Sequence, residues 1–323
     1  MVTNSVRPLL LSSSNDGIAR ASQLLRDGEL VAFPTETVYG LGARADVPAA
    51  VAQVYAAKGR PAVNPLIVHV PDLAVAQNLA SFDDDAMRLA EAFWPGPLTL
   101  VLPKRPDSEI VPAATAGLPS VALRSPDHPV ALALLRATGL PIVAPSANLS
   151  GRLSPTTAKH VLSGLGARIA AIVDGGGAEI GVESSIVATG KAPRLLRPGG
   201  LPLGAIEACL GTDLAIDAGS DHAPEAPGQL ASHYAPRAIL RLNATASAAD
   251  EVHLGFGSVP GDLSLSQSGD LAEAARRLFA ALAELDARGP SKIAVAPIPD
   301  QGLGRAINDR LRRAAAPRDQ RHG

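Results

Sequence analysis

The feature that most constrains the fold is a recurring alternation of short apolar segments with turns that contain proline, small hydroxyl residues or a cation. The clearest example spans residues 31–70, where an apolar strand over 29–33 breaks at Pro34 and a second strand is predicted over 66–70. A helix with Asp46 as its N-cap separates the two strands. Strands and helices keep alternating downstream without internal repeats, which favours an α/β fold with a twisted, mixed sheet.

The length and a change in composition indicate two domains. A chain of 323 residues is long for one domain. Residues 211–236 are rich in Ala, Pro, Gly, Asp and His and show no periodicity, as in a linker. We therefore predict a larger domain over 1–210, a linker or lid over 211–236, and a small domain of strands and helices over 237–323. The basic tail over 318–323 is expected to be poorly ordered.

The bulk composition excludes several classes of protein. No apolar run approaches the roughly 20 residues that span a bilayer, and no secretory signal is evident, so a cytoplasmic protein is expected. The only cysteine, Cys209, excludes an internal disulfide and a cysteine-based metal cluster. A net charge of −2 and 3% aromatic residues argue against strong direct binding of nucleic acid.

Polar and cationic residues follow several of the predicted strands and helices. Lys58 and Arg60 end the first of the helices described above, where they could bind a phosphate chain or simply offset the helix dipole. Arg124 ends an apolar strand over 120–124, and Ser146 and Asn148 lie in a turn that follows another strand. That turn could equally be a simple Asx turn and helix cap. Because ligands in open α/β sheets bind beyond strand ends, we expect these groups to converge at the sheet edge to which Thr35 also points.

Glycine motifs for nucleotide binding do not fit their required context. Gly40-Leu41-Gly42 begins a G-x-G-x-x-A pattern, but no predicted strand leads directly into it, and no P-loop is present. The segments PTETVYGLGA, KGRP with NPLIVH, SVALR, APSANLSG, GVESSIV and LRPG do, however, resemble the YrdC/Sua5 family in order and spacing. PGQLASHYAP and the additional C-terminal unit are similar to the longer, Sua5-type members.

The resemblance implies both a fold and an activity. The fold would be a YrdC-like twisted mixed sheet with flanking helices around a cationic cavity, plus a smaller C-terminal α/β, Rossmann-like Sua5 domain. The activity would be synthesis of L-threonylcarbamoyladenylate from L-threonine, bicarbonate and ATP, with Mg²⁺ accompanying the nucleotide and pyrophosphate released. The product would pass to a threonylcarbamoyl transferase complex that makes the t6A modification at position 37 of tRNA.

The family's functional residues can be placed on this sequence motif by motif. The catalytic K-x-R and S-x-N tetrad falls on Lys58, Arg60, Ser146 and Asn148. The ATP contacts fall on Arg60, Asn64, Ser120, Ser146, Ser154, Arg197 and Tyr234. The threonine contacts fall on Thr35, His69, Arg124, Ala144 and Ser184. Ala144 can offer only its backbone, Ser185 replaces the commoner Thr, and Gln229 replaces the usual Met.

These residue types suit the chemistry, because the reaction gathers anions. Lys58, Arg60 and Arg197 can offset the charge of a triphosphate, and Arg124 can hold a carboxylate through two parallel hydrogen bonds. No side-chain general base is evident; His69 is the only candidate, and binding is its favoured role.

A lid would protect the reactive mixed anhydride from water. Residues 227–236 are predicted to form it, with Tyr234 reaching the nucleotide. The alternative for this segment is a passive tether. Two other functions remain open: carbamoyl transfer by a YrdC-like module as in hydrogenase maturation, which needs Cys-rich segments, and RNA binding or ribosome maturation without catalysis.

Overall fold

Residues 7–217, 224–229 and 232–317 are described by the computed structural model of the chain. The tail over 318–323 lies outside the described residues. The strands are β1 (Leu9–Ser12), β2 (Val31–Phe33), β3 (Gly40–Arg44), β4 (Ile67–His69), β5 (Leu98–Pro103), β6 (Ser120–Arg124), β7 (Ile142–Val143), β8 (Ala171–Asp174), β9 (Ser185–Ala188), β10 (Arg194–Arg197), β11 (Ala215–Ile216), β12 (Ile239–Arg241), β13 (Glu251–Gly255), β14 (Leu263–Ser264) and β15 (Lys292–Val295). The helices are α1 (Asn15–Arg26), α2 (Pro48–Lys58), α3 (Leu73–Leu79), α4 (Asp84–Phe93), α5 (Pro129–Thr138), α6 (Ala158–Gly164), α7 (Leu203–Leu210), α8 (Leu271–Ala287) and α9 (Leu303–Ala315).

The strands form two sheets, which confirms the α/β prediction. The larger sheet has eleven strands in the order β1-β8-β2-β3-β7-β4-β6-β5-β9-β10-β11 and mixes parallel with antiparallel pairs. The smaller sheet has the order β12-β15-β13-β14, and all its pairs are parallel. Strand β11 lies inside the range predicted as linker, so sheet structure continues beyond residue 210. The predicted domain boundaries stay a prediction.

Several helices begin with a side-chain cap, but α2 does not. Ser14, Asp72 and Asp83 each accept a hydrogen bond from a backbone N–H in the first turn of the helix that follows. Asp46 was expected to cap α2 in the same way, and this prediction is wrong. The helix begins at Pro48, whose fixed φ suits the first helical position, and the Asp46 carboxylate pairs instead with Arg44 at 2.6 Å.

The buried strand β3 was not recognised in the sequence because it is rich in glycine. Its glycines are required by close packing: a Cβ on Gly42 would lie 2.9 Å from the Phe33 ring and 3.0 Å from the Val31 carbonyl oxygen. Gly40 packs in the same way, since its Cβ would lie 3.2 Å from the Ala144 side chain. The neighbouring strands therefore approach β3 more closely than any side chain would allow.

The strand directions place polar groups at both ends of β4. Strands β4 and β6 are parallel, with His69 beside Arg124 at their carboxyl ends. Strand β7 runs antiparallel to β4, so the turn that follows it, with Ser146, lies at the amino end of β4. The strand ends before Thr35 and Ser146 therefore share one edge of the sheet, as expected, but the expectation is wrong for Arg124, which lies at the opposite edge. The polar groups instead flank one face of the sheet, to which Ile67 and Ala122 contribute apolar side chains.

The smaller sheet packs with α8 and α9 into a second core that reaches the first unit. This core includes Leu278 and Ile307 of the two helices, and it also contains Val38 and Tyr234. The two units thus share buried side chains. No helix in the described part of the chain combines the length and apolar composition needed to cross a membrane.

Candidate active site

A small, closed cavity lies over the face of the large sheet between the two ends of β4. Its volume is about 40 Å³. Among the residues that line it are eight that the sequence predicted as site residues, namely Arg60, His69, Arg124, Ala144, Ser146, Ser184, Arg197 and Tyr234. Residues from distant parts of the chain therefore share one predominantly cationic hollow.

The K-x-R and S-x-N motifs are held together through Lys58. Its ammonium group donates hydrogen bonds to the backbone carbonyl oxygens of Ser146 and, at 2.6 Å, of Asn148. Burial lowers the pKa of Lys58 well below its ordinary value, and the neighbouring Arg60 lowers it further. Lys58 is not among the lining residues; in this conformation it fixes the turn after β7 against the end of α2.

Arg60 lines the cavity and is held by Asn64, which is buried and is not among the lining residues. The Arg60 guanidinium donates to the Asn64 side-chain oxygen at 2.7 Å and to the Pro65 carbonyl oxygen at 2.8 Å. Burial lowers the pKa of Arg60 to about 10, so the group stays charged at neutral pH. The Asn64 amide nitrogen is buried and has no hydrogen-bond partner within the described residues.

Arg197 connects the sheet to the segment predicted as a lid. Its guanidinium donates to the Ser184 carbonyl oxygen at 2.9 Å and to the Ser184 hydroxyl at 3.1 Å. A third donor reaches the carbonyl oxygen of Pro227 at 3.2 Å. The Ser184 hydroxyl also shares a hydrogen bond of 2.7 Å with Thr99. Burial lowers the pKa of Arg197, but its ordinary value is so high that the side chain remains a cation.

Arg124 is paired with a carboxylate that the sequence analysis did not select. The Arg124 guanidinium donates to Glu36 at 2.6 Å, and both side chains are about 95% buried. It also donates to the Gly96 carbonyl oxygen at 3.3 Å. Glu36 lies within the quoted motif PTETVYGLGA, but nothing in the sequence pairs it with a residue 88 positions away.

His69 is neutral in this site. Burial, reinforced by the charge of Arg124, lowers its pKa to about 3. Its Nδ1 lies 3.4 Å from the carbonyl oxygen of Ile67, and its ring packs edge-on against Phe33. An imidazole with so low a pKa is a weak base. His69 is therefore a poor candidate for a general base in this conformation, and its role in binding stays a prediction.

Four other predicted site residues lie outside the cavity. The Thr35 hydroxyl is used locally, donating to the Val38 carbonyl oxygen at 2.6 Å. The Asn148 amide donates to the carbonyl oxygens of Leu149 and Arg152. Ser154 hydrogen-bonds the Glu183 carboxylate. Ser120 begins β6 on the same face as Arg124, but at the opposite end of the strand, roughly 13 Å away at 3.3 Å per residue.

Glu183 and His233 line the cavity but were not predicted. Glu183 is the one carboxylate among the described lining residues, and it precedes Ser184 in the quoted motif GVESSIV. His233 precedes Tyr234, and their ring centroids are 4.0 Å apart. Burial lowers the pKa of His233 to about 3. Both residues stood next to predicted ones, and this adjacency was the only available signal.

Comparisons with known proteins show which family the chain belongs to. A family model of Sua5, YciO and YrdC proteins, described as "Telomere recombination", matches residues 23–199. A second, described as "Threonylcarbamoyl-AMP synthase, C-terminal domain", matches residues 202–316. The threonylcarbamoyl-AMP synthase of Bacillus subtilis strain 168 is 44% identical, with 95% of each chain covered. That of Pyrococcus abyssi is 42% identical, covering 92% of this chain and 94% of the other.

Solved structures give the same result. P. abyssi Sua5 complexed with L-threonine superposes with a TM-score of 0.88 at 39% identity, covering 95% of this chain and 97% of the other. Escherichia coli YciO, at 22% identity and a TM-score of 0.52, covers 59% of this chain and shares the fold of that part. This chain therefore belongs to the Sua5/YciO/YrdC family and carries the Sua5 C-terminal domain as well.

Proposed function

We propose that this chain is a threonylcarbamoyl-AMP synthase, which makes L-threonylcarbamoyladenylate from L-threonine, bicarbonate and ATP. The observation that carries the assignment is the single cavity in which Arg60, Arg197 and Arg124 meet beside His69 and Ser146. Two distinct anions, a phosphate chain and an amino-acid carboxylate, need such a collection of cations. Relatives of 42–44% identity over almost the whole chain bear the same functional name.

The reaction joins three substrates in two steps. The threonine amine forms a C–N bond with bicarbonate and releases water, which gives a carbamate. A carbamate oxygen then attacks the α-phosphorus of ATP, the bond from that phosphorus to the bridging oxygen breaks, and pyrophosphate leaves. Arg60 and Arg197 are placed to offset the charge that develops on the phosphoryl oxygens, and Lys58 holds the turn that carries Ser146. Positioning of the reactants accounts for much of the catalysis.

The threonine end of the site is assigned to the carboxyl ends of β4 and β6. Arg124 would hold the carboxylate of the amino acid, with the neutral His69 and Ser184 beside it. Ala144 lies towards the other end of β4, where its N–H donates to the Ile67 carbonyl oxygen at 2.9 Å. The complex of P. abyssi Sua5 with L-threonine supports a threonine subsite in a protein of the same fold.

Magnesium would arrive with the nucleotide rather than reside in a protein cage. Among residues 7–217, 224–229 and 232–317, no group of three His, Cys, Asp or Glu side chains could hold a metal ion. Mg²⁺ commonly binds phosphate oxygens with one or two carboxylates and several waters. Glu183, the carboxylate that lines the described cavity, is engaged by Ser154 and Arg310, so the ion would be held by phosphate oxygens and waters. The ion would supply charge neutralisation at the phosphates.

The segment around Tyr234 acts as a lid in this proposal. Pro227, Gly228, His233 and Tyr234 all line the cavity, and a volume of about 40 Å³ is far below the roughly 300–1,000 Å³ typical of ligand pockets. The described conformation is thus too closed for ATP, so the lid must move before the nucleotide enters. A closed lid would then shield the carbamoyl adenylate from water.

Two variants of Tyr234 test the lid. Tyr234→Ala should raise the KM for ATP and allow loss of the adenylate to hydrolysis, whereas Tyr234→Phe, which keeps the ring, should retain closure. Full adenylate synthesis and unchanged ATP affinity in the alanine variant would show that the segment is a passive tether.

The assignment as a whole is tested by measuring pyrophosphate from protein incubated with ATP, L-threonine, bicarbonate and magnesium. Pyrophosphate should appear together with a threonylcarbamoyl adenylate, and omission of threonine should abolish both. Pyrophosphate release independent of threonine would refute the assignment, and a salt-sensitive shift of RNA without any adenylate would favour the RNA-binding alternative.

The product requires an acceptor. We propose that it passes to a threonylcarbamoyl transferase complex acting on adenosine 37 of tRNA, and that the reaction takes place in the cytoplasm, where tRNA is modified. Mass spectrometry of tRNA incubated with the synthase and such a transferase would detect t6A. Without the synthase it should be absent.

A further inference from the structure

Arg310 is a buried cation that crosses from the C-terminal unit to the active-site cavity. It lies on α9, and only 1% of its side chain is exposed. Its guanidinium donates to the Glu183 carboxylate at 2.7 Å and to the Pro198 carbonyl oxygen at 3.0 Å. Its central carbon also lies 5.0 Å from the centroid of the Tyr234 ring. One side chain therefore touches a carboxylate of the cavity wall, the strand-end loop after β10 and the aromatic residue of the lid.

The contact of Arg310 with Glu183 matters because Glu183 is charged. Burial alone would raise the pKa of Glu183, but Arg310 and Arg197 outweigh that effect and lower it. Glu183 is therefore an anion in the wall of a cavity that is proposed to hold a triphosphate. Without a neutralising partner it would repel the phosphates and weaken the attraction of Arg60 and Arg197.

The same helix also fixes the lid backbone. The N–H of His233 donates to the carbonyl oxygen of Arg313 at 3.2 Å, one turn of α9 beyond Arg310. The Tyr234 ring packs between the Arg310 guanidinium and Phe279, whose ring centroid is 5.8 Å away. Tyr234 has a φ of +62°, a conformation that a non-glycine residue keeps only where its surroundings enforce it.

We propose that Arg310 is a positioning residue of the adenylate-forming reaction, through which the C-terminal domain neutralises Glu183 and holds Tyr234 over the nucleotide. This inference rests on the proposed function. It gives the C-terminal domain a direct part in building the ATP subsite.

The test compares Arg310→Met, Arg310→Lys and the double variant Arg310→Met with Glu183→Gln. Loss of the charge should raise the KM for ATP by about tenfold or more, because Glu183 loses its ion pair and keeps only the Ser154 hydrogen bond and the nearby charge of Arg197. The KM for threonine should change less than about twofold, since Arg310 does not contact Arg124 or His69. Arg310→Lys keeps the charge and should fall between the wild type and Arg310→Met.

The double variant separates charge neutralisation from a merely structural role. Removing the Glu183 charge in the Arg310→Met background should restore ATP affinity to within about threefold of the wild type. A folding defect would instead affect both substrates, lower the melting temperature and gain nothing from Glu183→Gln. Arg312→Met, an exposed arginine on the same helix, is the matched control and should behave as the wild type.

The outcomes distinguish this inference from the proposed function. Absence of threonine-dependent pyrophosphate from the wild-type protein would refute the function itself. An active wild type with an unchanged KM for ATP in Arg310→Met, or no recovery in the double variant, would refute the role of Arg310. If Arg310→Met is insoluble, the ATP affinities of Arg310→Lys and the double variant decide the question by the same criteria.

Discussion

Replacing Glu36 by glutamine should destabilise the protein through the cation that it leaves behind. In the wild type the Arg124 guanidinium lies 2.6 Å from the Glu36 carboxylate, with 5% and 4% of the two side chains exposed. Breaking a buried ion pair by removing one partner typically costs about 3–5 kcal/mol. Because the glutamine amide oxygen can still accept one hydrogen bond, we expect the lower end, about 3 kcal/mol.

Thermal unfolding provides the assay. One kcal/mol corresponds to roughly 2–4 °C for a unit of 150–250 residues, so the midpoint should fall by roughly 6–12 °C in Glu36→Gln. Threonine should restore part of this loss, since its carboxylate would take the place of the missing charge beside Arg124. Asp107→Asn is the control, because the pair of Asp107 with Arg105 is largely exposed and its loss should leave the midpoint unchanged.

A double variant makes the reasoning refutable. Arg124→Met should also destabilise the protein, because it leaves the Glu36 carboxylate buried without its cation. Combining it with Glu36→Gln removes both charges and should be more stable than Arg124→Met alone. Two results would contradict this reasoning: a melting midpoint of Glu36→Gln within about 2 °C of the wild type, or a double variant no more stable than Arg124→Met. Either would show that the ion pair of Glu36 with Arg124 does not stabilise the protein as expected.

Three other predictions concern the same site. Lys58→Met should lower the kcat for pyrophosphate release by about 100-fold, because the turn with Ser146 loses its anchor; rates equal to the wild type would contradict this. The pKa of His69 is about 3 in the folded protein, below its ordinary 6.5, so histidine in the unfolded chain is protonated first as the pH drops. The free energy of unfolding should therefore fall between about pH 6.5 and 3, by up to about 1.4 kcal/mol per pH unit. In His69→Gln the melting temperature should decline less steeply over this pH range. Gly199→Ala should abolish activity, because the new Cβ would lie 2.3 Å from the Ser184 carbonyl carbon. Gly204→Ala is the control: no atom lies within 4 Å of its new Cβ, so it should raise the melting temperature slightly.

The sequence was sufficient for elements whose boundaries carry a local signal. Strand β6 occurs with the bounds that were predicted, because prolines lie on both sides of its apolar run. Strand β3 could not be predicted in this way. Its glycines are required by close contacts with Phe33 and Ala144, and they do not follow the alternating apolar pattern of a strand. Helices α3 and α6 were also missed; each is only seven residues long, and so offers little periodicity.

The sequence predicted many residues of the site, but not which of them form ion pairs or hydrogen bonds with each other. The family resemblance supplied Arg60, Arg197 and Tyr234, and all three line the cavity. The pairing of Glu36 with Arg124 spans 88 positions, and that of Glu183 with Arg310 spans 127. Such contacts are set by how the sheet and α9 pack, and no local pattern records them. Lys58 illustrates the same limit, because its binding to two backbone carbonyls follows from the path of the turn after β7.

Internal hydrogen-bond acceptors allow so many cations to be buried together at this site. Each has an internal acceptor: carbonyl oxygens for Lys58, Asn64 for Arg60, Glu36 for Arg124 and Ser184 for Arg197. These bonds fix the donors before ATP arrives, so the charge that develops at phosphorus would meet groups already in place. Neutral acceptors leave most of the positive charge uncompensated, and that remaining charge is what attracts the phosphates. We therefore expect the site to select anions, provided that Glu183, the one carboxylate lining the described cavity, stays neutralised from the C-terminal side.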